Sequence, residues 1–252
     1  MFTLGAADLD AWLAGFFFPF ARVAALVATA PILSDAGMPR TIRAALAVVV
    51  TIIIAPTLAP TAVAPMSATG VALLVEEILI GTALGFAMQV AFAAVTMAGD
   101  MIGLQMGLSF ATFVDPEHSE PAPLIGSFLT VLLMLYFLSF NGHLQMIAAL
   151  ADSFRSLPVG ANLRMDDVHA ILAAASSIFA IGLRLALPVI AAILVANLTL
   201  GMLMRTAPQV NLLAIGFPLT LALGFAVLAL MLPSIAPTFD LVIAQGLRAL
   251  RP

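Results

Sequence analysis

The chain has no cysteine and no lysine, and only 9% of its residues are charged. Ordinary soluble domains have about 25% charged residues. The absence of cysteine excludes disulfides and thiolate chemistry, and the absence of lysine makes every fixed positive charge an arginine. The net charge of −4 is small and scattered along the chain, so it does not indicate a nucleic-acid partner. This is too little charge to cover the surface of a soluble protein.

Apolar residues make up 63% of the chain and are gathered in long uncharged stretches. Residues 44–75, 121–151 and 206–239 contain no Asp, Glu, Lys or Arg. About 20 apolar helical residues cross the roughly 30 Å core of a bilayer, and each of these stretches is longer than that. The pattern predicts an all-α integral membrane protein with several passes. No polar linker divides the chain, which favours a single domain.

Turn-forming and charged residues separate six apolar segments, which predicts about six long, partly broken helices. The first segment has no positively charged region before it, so we expect it to be retained as a span rather than cleaved as a signal peptide. The fifth is longer than a bilayer requires and should protrude or bend at Pro188. The sixth is expected to end at Pro233 and Pro237. The segments are about 11–33, 44–59, 70–98, 123–150, 168–204 and 212–232.

Glycines recur at every fourth residue at Gly99, Gly103 and Gly107. Positions four apart share one face of a helix, so these glycines would form a groove that another backbone can approach closely. Gly81 and Gly85 have the same spacing. The alternatives are ordinary packing within the chain, or a flexible loop if the stretch is not helical. Three glycines in register favour tight helix assembly.

Three arginines lie in or beside apolar segments. An arginine at the centre of a span costs about 2.5–3.5 kcal/mol on insertion scales, so it should face protein or water. One interpretation is an ion pair with Glu76, Glu77 or Asp100, within the chain or across a subunit interface. Another is snorkelling to the lipid headgroups. Snorkelling suits Arg205 better than Arg22, and a transport relay is a further alternative. The charges predicted to serve packing or assembly are Arg22, Glu76, Glu77, Asp100, Arg184 and Arg205.

Motifs for metal binding or catalysis are few. A short loop carries Asp115, Glu117, His118 and Glu120, but no HExxH or paired-cysteine spacing supports a metal site there. His143, within an apolar segment, is expected to be a hydrogen-bonded structural residue. The sequence contains no GxSxG motif and no P-loop. We therefore expect no metal, no cofactor and no enzymatic activity.

Bulky apolar residues accompany the last of the spaced glycines. Phe110 and Phe113 follow it directly, and Met106 precedes it. Such side chains on a flexible loop can close a pore by excluding water from it. Composition alone favours the simpler alternative, that they anchor the loop in a core or in the membrane interface.

Short motifs spread over the whole chain resemble the FliR family of flagellar export-gate proteins. The central motif runs from Gly99 to Ser109 and is followed by Asp115-Pro116. Each motif is short, but their order and spacing together are specific. The other motifs are Thr29-Ala30-Pro31, Pro39 with Arg40 and Arg43, Asn141-Gly142-His143, Leu187-Pro188, Asn197-Leu198-Thr199-Leu200-Gly201, Arg205-Thr206-Ala207-Pro208-Gln209-Val210-Asn211 and Gly216-Phe217-Pro218.

The resemblance implies a place in the type III export apparatus of the flagellar basal body, in the bacterial inner membrane and surrounded by its lipid. FliR-like proteins assemble with FliP and FliQ into a gate for unfolded flagellar subunits, and FlhB docks beside it. The chain would be similar to a FliP-like part, residues 1–167, joined to a FliQ-like hairpin and tail, residues 168–252. The loop of about residues 106–115 would plug the closed channel, with Met106, Phe110 and Phe113 as the sealing side chains.

Other functions remain open at this point. The equivalent subunit of an injectisome would share the mechanism, although the patterns at 141–143 and 107–109 look more flagellar, and gene neighbourhood would separate the two. A small secondary transporter would use helices broken at Pro188 and Pro218 to build a site at the membrane midplane. It would also show inverted repeats, and we find none. An intramembrane enzyme would require catalytic pairs that the sequence lacks.

Overall fold

A computed structural model describes residues 6–35, 37–59, 63–108, 123–161, 165–206 and 212–249. Within these ranges the regular structure is entirely helical, with seven α-helices, one short 3-10 helix at Ala55–Thr57 and no strand. The all-α prediction is therefore confirmed. The helices are α1 Ala6–Thr29, α2 Arg40–Ile54, α3 Ala68–Gln105, α4 Leu124–Ser139, α5 Gly142–Ser156, α6 Met165–Thr206 and α7 Leu212–Ala249.

Most of these helices are long and apolar enough to cross a membrane. Five of the described helices meet this condition alone, and a sixth span results if α4 and α5 are counted as one bent span. This confirms the predicted polytopic membrane protein. The single-helix spans are Trp12–Thr29, Arg40–Thr57 (which includes the 3-10 turn), Ala68–Gln105, Ala180–Arg205 and Gly216–Leu247.

The fourth apolar segment is two helices rather than one. α4 and α5 meet at an angle of 69°. Between them Asn141 adopts the left-handed conformation, with φ 55° and ψ 30°. Asparagine tolerates this conformation better than most residues with a side chain. Asn141 ends the first helix, and its carbonyl oxygen accepts a hydrogen bond from the Leu144 N–H of the next helix at 3.0 Å. Apolar composition alone gave no sign of the break.

The third helix is longer than predicted and ends at a glycine cap. α3 continues past Ala98 to Gln105, so Gly99 and Gly103 are helical. Gly107 is not helical, because its φ is +81°. This corrects the prediction that three glycines share one helical face. The Gly107 N–H donates to the Leu104 carbonyl oxygen and the Leu108 N–H donates to that of Gly103, both at 3.0 Å. This left-handed residue closes the helix end, a position where glycine is favoured.

Proline ends neither of the last two helices. Pro188 lies inside α6, which remains one helix of 42 residues. Pro218, Pro233 and Pro237 all lie inside α7. The predicted end of the sixth segment at Pro233 is therefore wrong. In apolar surroundings an opened backbone has no water to bind, so a helix that loses one hydrogen bond at proline is still favoured over an irregular chain.

The chain divides into two compact units, which we describe separately. In unit 1 the core includes Phe18, Leu26 and Leu150, and in unit 2 it includes Leu133 and Ile193. α3, α6 and α7 each contribute to both units. The division into a FliP-like and a FliQ-like part near residue 167 stays a prediction. Unit 1 is Met1–Ala91, Phe140–Ala175 and Ile243–Pro252; unit 2 is Phe92–Ser139 and Ser176–Val242.

Candidate functional site

A fully buried arginine lies in the core of unit 1. Arg22 on α1 is 0% exposed and Glu77 on α3 is 1% exposed. The Arg22 Nε donates to one carboxylate oxygen of Glu77 at 2.7 Å, and Nη2 donates to the other at 2.9 Å. This two-bond geometry is the strongest form of an arginine–carboxylate pair. Two helices that are far apart in sequence are thus joined by a single charged contact.

The remaining donors of Arg22 are taken by the end of α5. Nη1 donates to the Ser153 carbonyl oxygen at 3.0 Å and to the Ser153 hydroxyl at 3.2 Å. Nη2 also donates to the Leu157 carbonyl oxygen at 2.9 Å. The Phe154 ring covers the guanidinium, with its centroid 4.1 Å from Cζ. A guanidinium has five N–H groups, and this set supplies an acceptor for each of them.

Complete satisfaction of Arg22 indicates what this network does chemically. No N–H of the guanidinium is left over for a substrate or an ion, and both oxygens of Glu77 already accept a hydrogen bond. A transport relay needs a group that can exchange its partner, so the geometry favours a structural lock over a relay. The lock fixes α1, α3 and α5 against one another without exposing a charge to lipid.

Two glycines let α1 approach α3 beside this lock. A Cβ atom added at Gly81 would meet the Ala25 Cβ at 2.8 Å and the Arg22 carbonyl carbon at 2.9 Å. One added at Gly85 would meet the Ala30 nitrogen at 2.9 Å. Real Cβ atoms essentially never come within 3.0 Å of such neighbours. The four-residue spacing of Gly81 and Gly85 therefore forms a groove in which the backbone of α1 lies.

A second close backbone contact joins α3 to α4 in unit 2. A Cβ atom at Gly99 would lie 2.5 Å from the Gly126 backbone nitrogen. At Gly103 the nearest atoms, on Ile125 and Leu108, would be 3.8 Å away, which is an ordinary contact. The three glycines predicted to act together are thus distinct: Gly99 permits a backbone contact, Gly103 lines it loosely and Gly107 ends the helix.

Asp100 lies at the same contact. Its Oδ1 is buried and has no hydrogen-bond partner in the described part of the chain. The atom packs against Gly126, where a Cβ would overlap it. One turn away, the hydroxyls of Thr96 and Thr130 are hydrogen-bonded to each other at 2.8 Å. Among the arginine partners considered from the sequence, the structure thus selects Glu77 and leaves Asp100 outside the Arg22 network.

The other residues singled out in the sequence are dispersed. Glu76 is half-buried next to Glu77, and the side chains of Arg184 and Arg205 are exposed. Met106 is fully buried, and its side chain lies against Gly224 on α7. Met106 is therefore a packed core residue here rather than a free loop side chain.

The remaining predicted plug residues follow Met106 in the chain. Phe110, Phe113 and the acidic loop at 115–120 lie outside the described residues. Among the described residues, no group of three His, Cys, Asp or Glu side chains could hold a metal ion.

Sequence reasoning missed the partners that complete these contacts. Ser153 and Leu157 contribute backbone carbonyls, which have no sequence signature. Gly126 is a lone glycine in an apolar segment, and only its distance in the folded chain shows its role. The hydrogen bond from the Tyr136 hydroxyl to Asp240, at 2.7 Å, had a usable signal. Tyr136 is the only tyrosine of the chain, and Asp240 immediately follows an uncharged stretch.

The fold and these contacts define a multi-spanning helical membrane protein whose buried polar residues hold its helices together. Residues 13–246 match the family described as "Bacterial export proteins, family 1". The chain belongs to this family and, with its relatives, to the FliR proteins of flagellar biosynthesis. The prediction of the family from short motifs is confirmed.

Several curated relatives carry the name flagellar biosynthetic protein FliR. The chain is 46% identical over 238 residues to that of Pectobacterium carotovorum subsp. carotovorum, covering 94% of this chain and 91% of the relative. It is 49% identical over 227 residues to that of Escherichia coli strain K12, covering 90% and 87%. The relative from Bacillus subtilis strain 168 is 30% identical over 217 residues, covering 84% of each chain. The protein is a membrane-embedded component of flagellar protein export.

Proposed function

We propose that this protein is a wall-forming subunit of the flagellar type III export gate in the bacterial inner membrane. In this proposal it assembles with FliP- and FliQ-like subunits into the channel for unfolded flagellar subunits, and an FlhB-like protein docks beside it. The protein itself catalyses no reaction, and its partners supply the energy for export.

The observation that best supports assembly is the apolar surface that the chain leaves uncovered. In one apolar 18-residue window of Ala68–Gln105 the chain buries 61% of the residues. In the corresponding windows it buries 22% in Arg40–Thr57, 17% in Ala180–Arg205 and 22% in Gly216–Leu247. Spans with so little cover from their own chain face lipid or other subunits. Together with the family membership, this favours a subunit of a larger helical assembly.

The transporter alternative receives less support from the helices. It requires interrupted helices at Pro188 and Pro218, whose free ends would bind an ion or a substrate at the midplane. Both prolines lie inside continuous helices. The injectisome alternative shares the mechanism, and the curated relatives described above carry a flagellar name.

Co-purification tests the proposed assembly. The protein would be tagged at its C-terminus in its own host under conditions where flagella are being made, extracted in mild detergent, and its bound chains identified. We expect FliP- and FliQ-like chains in a stable complex. Injectisome components in their place would change the pathway but keep the mechanism, whereas a lone monomer or homodimer would contradict the proposal.

The plug is tested by replacing its phenylalanines. We expect Phe110→Ala with Phe113→Ala to make the membrane leak protons or small ions, because the water-excluding side chains would be removed from the closed channel. Ion flux into cells that carry the variant gate measures this directly. The matched control replaces the exposed Phe86 and Phe217 by alanine, which should cause no leak. Unchanged leakage and unchanged export in the plug variant would refute the sealing role.

A further inference from the structure

The last turns of α6, in unit 2, lose the cover that the chain gives to the earlier part of this helix. Ile193 is fully buried, and a Cβ atom added at Gly182 would meet the Ala94 carbonyl oxygen at 2.9 Å. Four residues after Ile193, on the same side of the helix, Asn197 is exposed. Between there and the end of the span at residue 205, only Leu200 is buried. The packing face of α6 therefore continues past Ile193 with little of the described chain against it.

Three residues in these last turns differ from their apolar neighbours. Asn197, Gly201 and Arg205 follow one another at four-residue spacing, so they form a strip along one side of α6, the 197/201/205 strip. All three are exposed, and a Cβ atom added at Gly201 would have no neighbour within 4 Å. In the described part of the chain, Asn197 forms no side-chain hydrogen bond and Arg205 forms no ion pair. The strip thus offers an amide, an open glycine and a cation to an external group.

Neither lipid nor water suits this part of the helix. In lipid the amide of Asn197 would lack a hydrogen-bond partner, and a charged Arg205 would require one as well. In water a group of large apolar side chains would be exposed instead. The need for another protein segment therefore does not depend on where the bilayer lies along α6. The exposed apolar side chains are Leu194, Val195, Leu198, Met202, Leu203 and Met204.

We propose that the 197/201/205 strip binds an apolar helix of a neighbouring subunit that carries a carboxylate near one end. The carboxylate pairs with Arg205, a side chain of the partner helix packs against Gly201, and a polar group of that helix forms a hydrogen bond with the Asn197 amide. Small residues permit close approach of membrane helices, and polar side chains link them. The inference rests on the proposed assembly and identifies the surface and the chemistry of one contact in it.

A second copy of this chain is a less suitable occupant. Copies of one chain insert into a membrane in the same direction, and a two-fold pair uses the same surface on both copies. The Arg205 side chains of the two copies would then lie at the same level of the contact, where like charges repel. A different chain with a carboxylate at that level satisfies the cation and avoids the repulsion.

Site-specific photo-crosslinking in the assembled complex tests this contact. A crosslinking amino acid replaces Leu194, which is exposed on the same side of α6 as Asn197, or Val195, which is exposed on another side. The full-length tagged chain is irradiated in membranes of its own host, and the crosslinked peptides are identified by mass spectrometry. We expect the probe at Leu194 to reach an apolar segment of a different chain with Asp or Glu near one end. The probe at Val195 should crosslink that segment less.

Three variants of the strip, with two matched controls, test its chemistry. Asn197→Leu removes the amide, Gly201→Leu fills the open position and Arg205→Gln removes the charge. Each should lower the yield of the crosslink and of co-purified partner about three- to tenfold, the range expected for one contact between membrane helices. Gly201→Ala keeps a small residue, and Thr199→Val removes a hydroxyl that already donates to the Val195 carbonyl oxygen at 2.9 Å. Both controls should retain the partner like the unmodified protein.

Thermal unfolding of each purified variant in detergent distinguishes a lost contact from lost folding. We expect the strip variants to unfold like the unmodified chain, and early unfolding would mean that the strip packs within its own chain, which would overturn the inference. Full retention of the partner by all three strip variants would overturn it and leave the proposed assembly intact. A crosslink from position 194 to a second copy, or to a segment without a carboxylate, would overturn it as well. Absence of every partner chain from the unmodified protein would contradict the assembly itself.

Discussion

Replacement of Arg22 by glutamine is expected to destabilise the protein by about 3–5 kcal/mol, the cost of removing one partner from a buried ion pair. Glu77, at 1% exposure, would lose its cation and would be left buried either as an unpaired charge or as a protonated acid with unmatched hydrogen bonds. The carbonyl oxygens of Ser153 and Leu157 would lose donors as well. We expect the variant to be nearly absent from membranes at steady state and to abolish swimming of its host. Immunoblotting of membranes and thermal unfolding in detergent measure the effect.

Two related variants separate charge from geometry. Arg22→Lys keeps the charge but has three donors on one nitrogen, so it cannot reach both Glu77 oxygens and both α5 carbonyl oxygens at once. We expect the stability of Arg22→Lys to lie between that of the unmodified protein and that of Arg22→Gln. The exchange Arg22→Glu with Glu77→Arg keeps the net charge, but it places a carboxylate against the carbonyls of Ser153 and Leu157. It should therefore fail to restore stability.

The control for Arg22 is an exposed ion pair of the same unit. Arg155 and Asp152 are 3.3 Å apart on α5, and their side chains are 83% and 50% exposed. Exposed pairs of this kind contribute about 0–1 kcal/mol. Arg155→Gln should therefore unfold close to the temperature of the unmodified protein. If Arg22→Gln also unfolded close to the temperature of the unmodified protein, the buried network would not hold α1, α3 and α5 together.

The Arg22 network shows how far sequence reasoning reaches in this protein. An unpaired arginine is costly in an apolar segment, so the sequence predicted that Arg22 has a partner. Glu77 was one of three acidic residues considered for that partner. The sequence could not choose between them, because the choice depends on how α1 is aligned along α3. That alignment is set by the backbone groove at Gly81 and Gly85, a property of two helices together rather than of either segment.

The predictions of helix boundaries fail for a related reason. Pro233 and Pro237 would end a helix in water, where the opened backbone can bind solvent. In α7 they do not, because apolar surroundings make an irregular backbone more costly than a kink. Asn141 has the opposite effect, since a single left-handed residue turns one predicted span into two helices. Local sequence rules derived from soluble proteins therefore err in two ways: they end one helix too early, and they miss a break inside a predicted span.

Gly99→Ala is expected to separate α3 from α4 and to abolish assembly of the protein into its complex. The added Cβ would lie 2.5 Å from the Gly126 backbone nitrogen and 2.7 Å from the Ile125 carbonyl carbon. These are backbone atoms, so no rotamer change can relieve the overlap and one helix must move. Overpacking of this kind costs about 1–3 kcal/mol or more. Thermal unfolding in detergent and co-purification of partner chains measure it.

Two glycines of the same chain provide matched controls for this variant. At Gly103, one turn further along α3, an added Cβ would have its nearest neighbours at 3.8 Å, and at Gly201 on α6 it would have none within 4 Å. Alanine favours a helix over glycine by about 1 kcal/mol, so Gly103→Ala and Gly201→Ala should be neutral or slightly stabilising. Equal losses of stability and assembly in Gly99→Ala and Gly103→Ala would mean that the whole helical face binds a neighbouring subunit. A loss in Gly99→Ala alone would mean that the spaced glycines serve a contact within the chain.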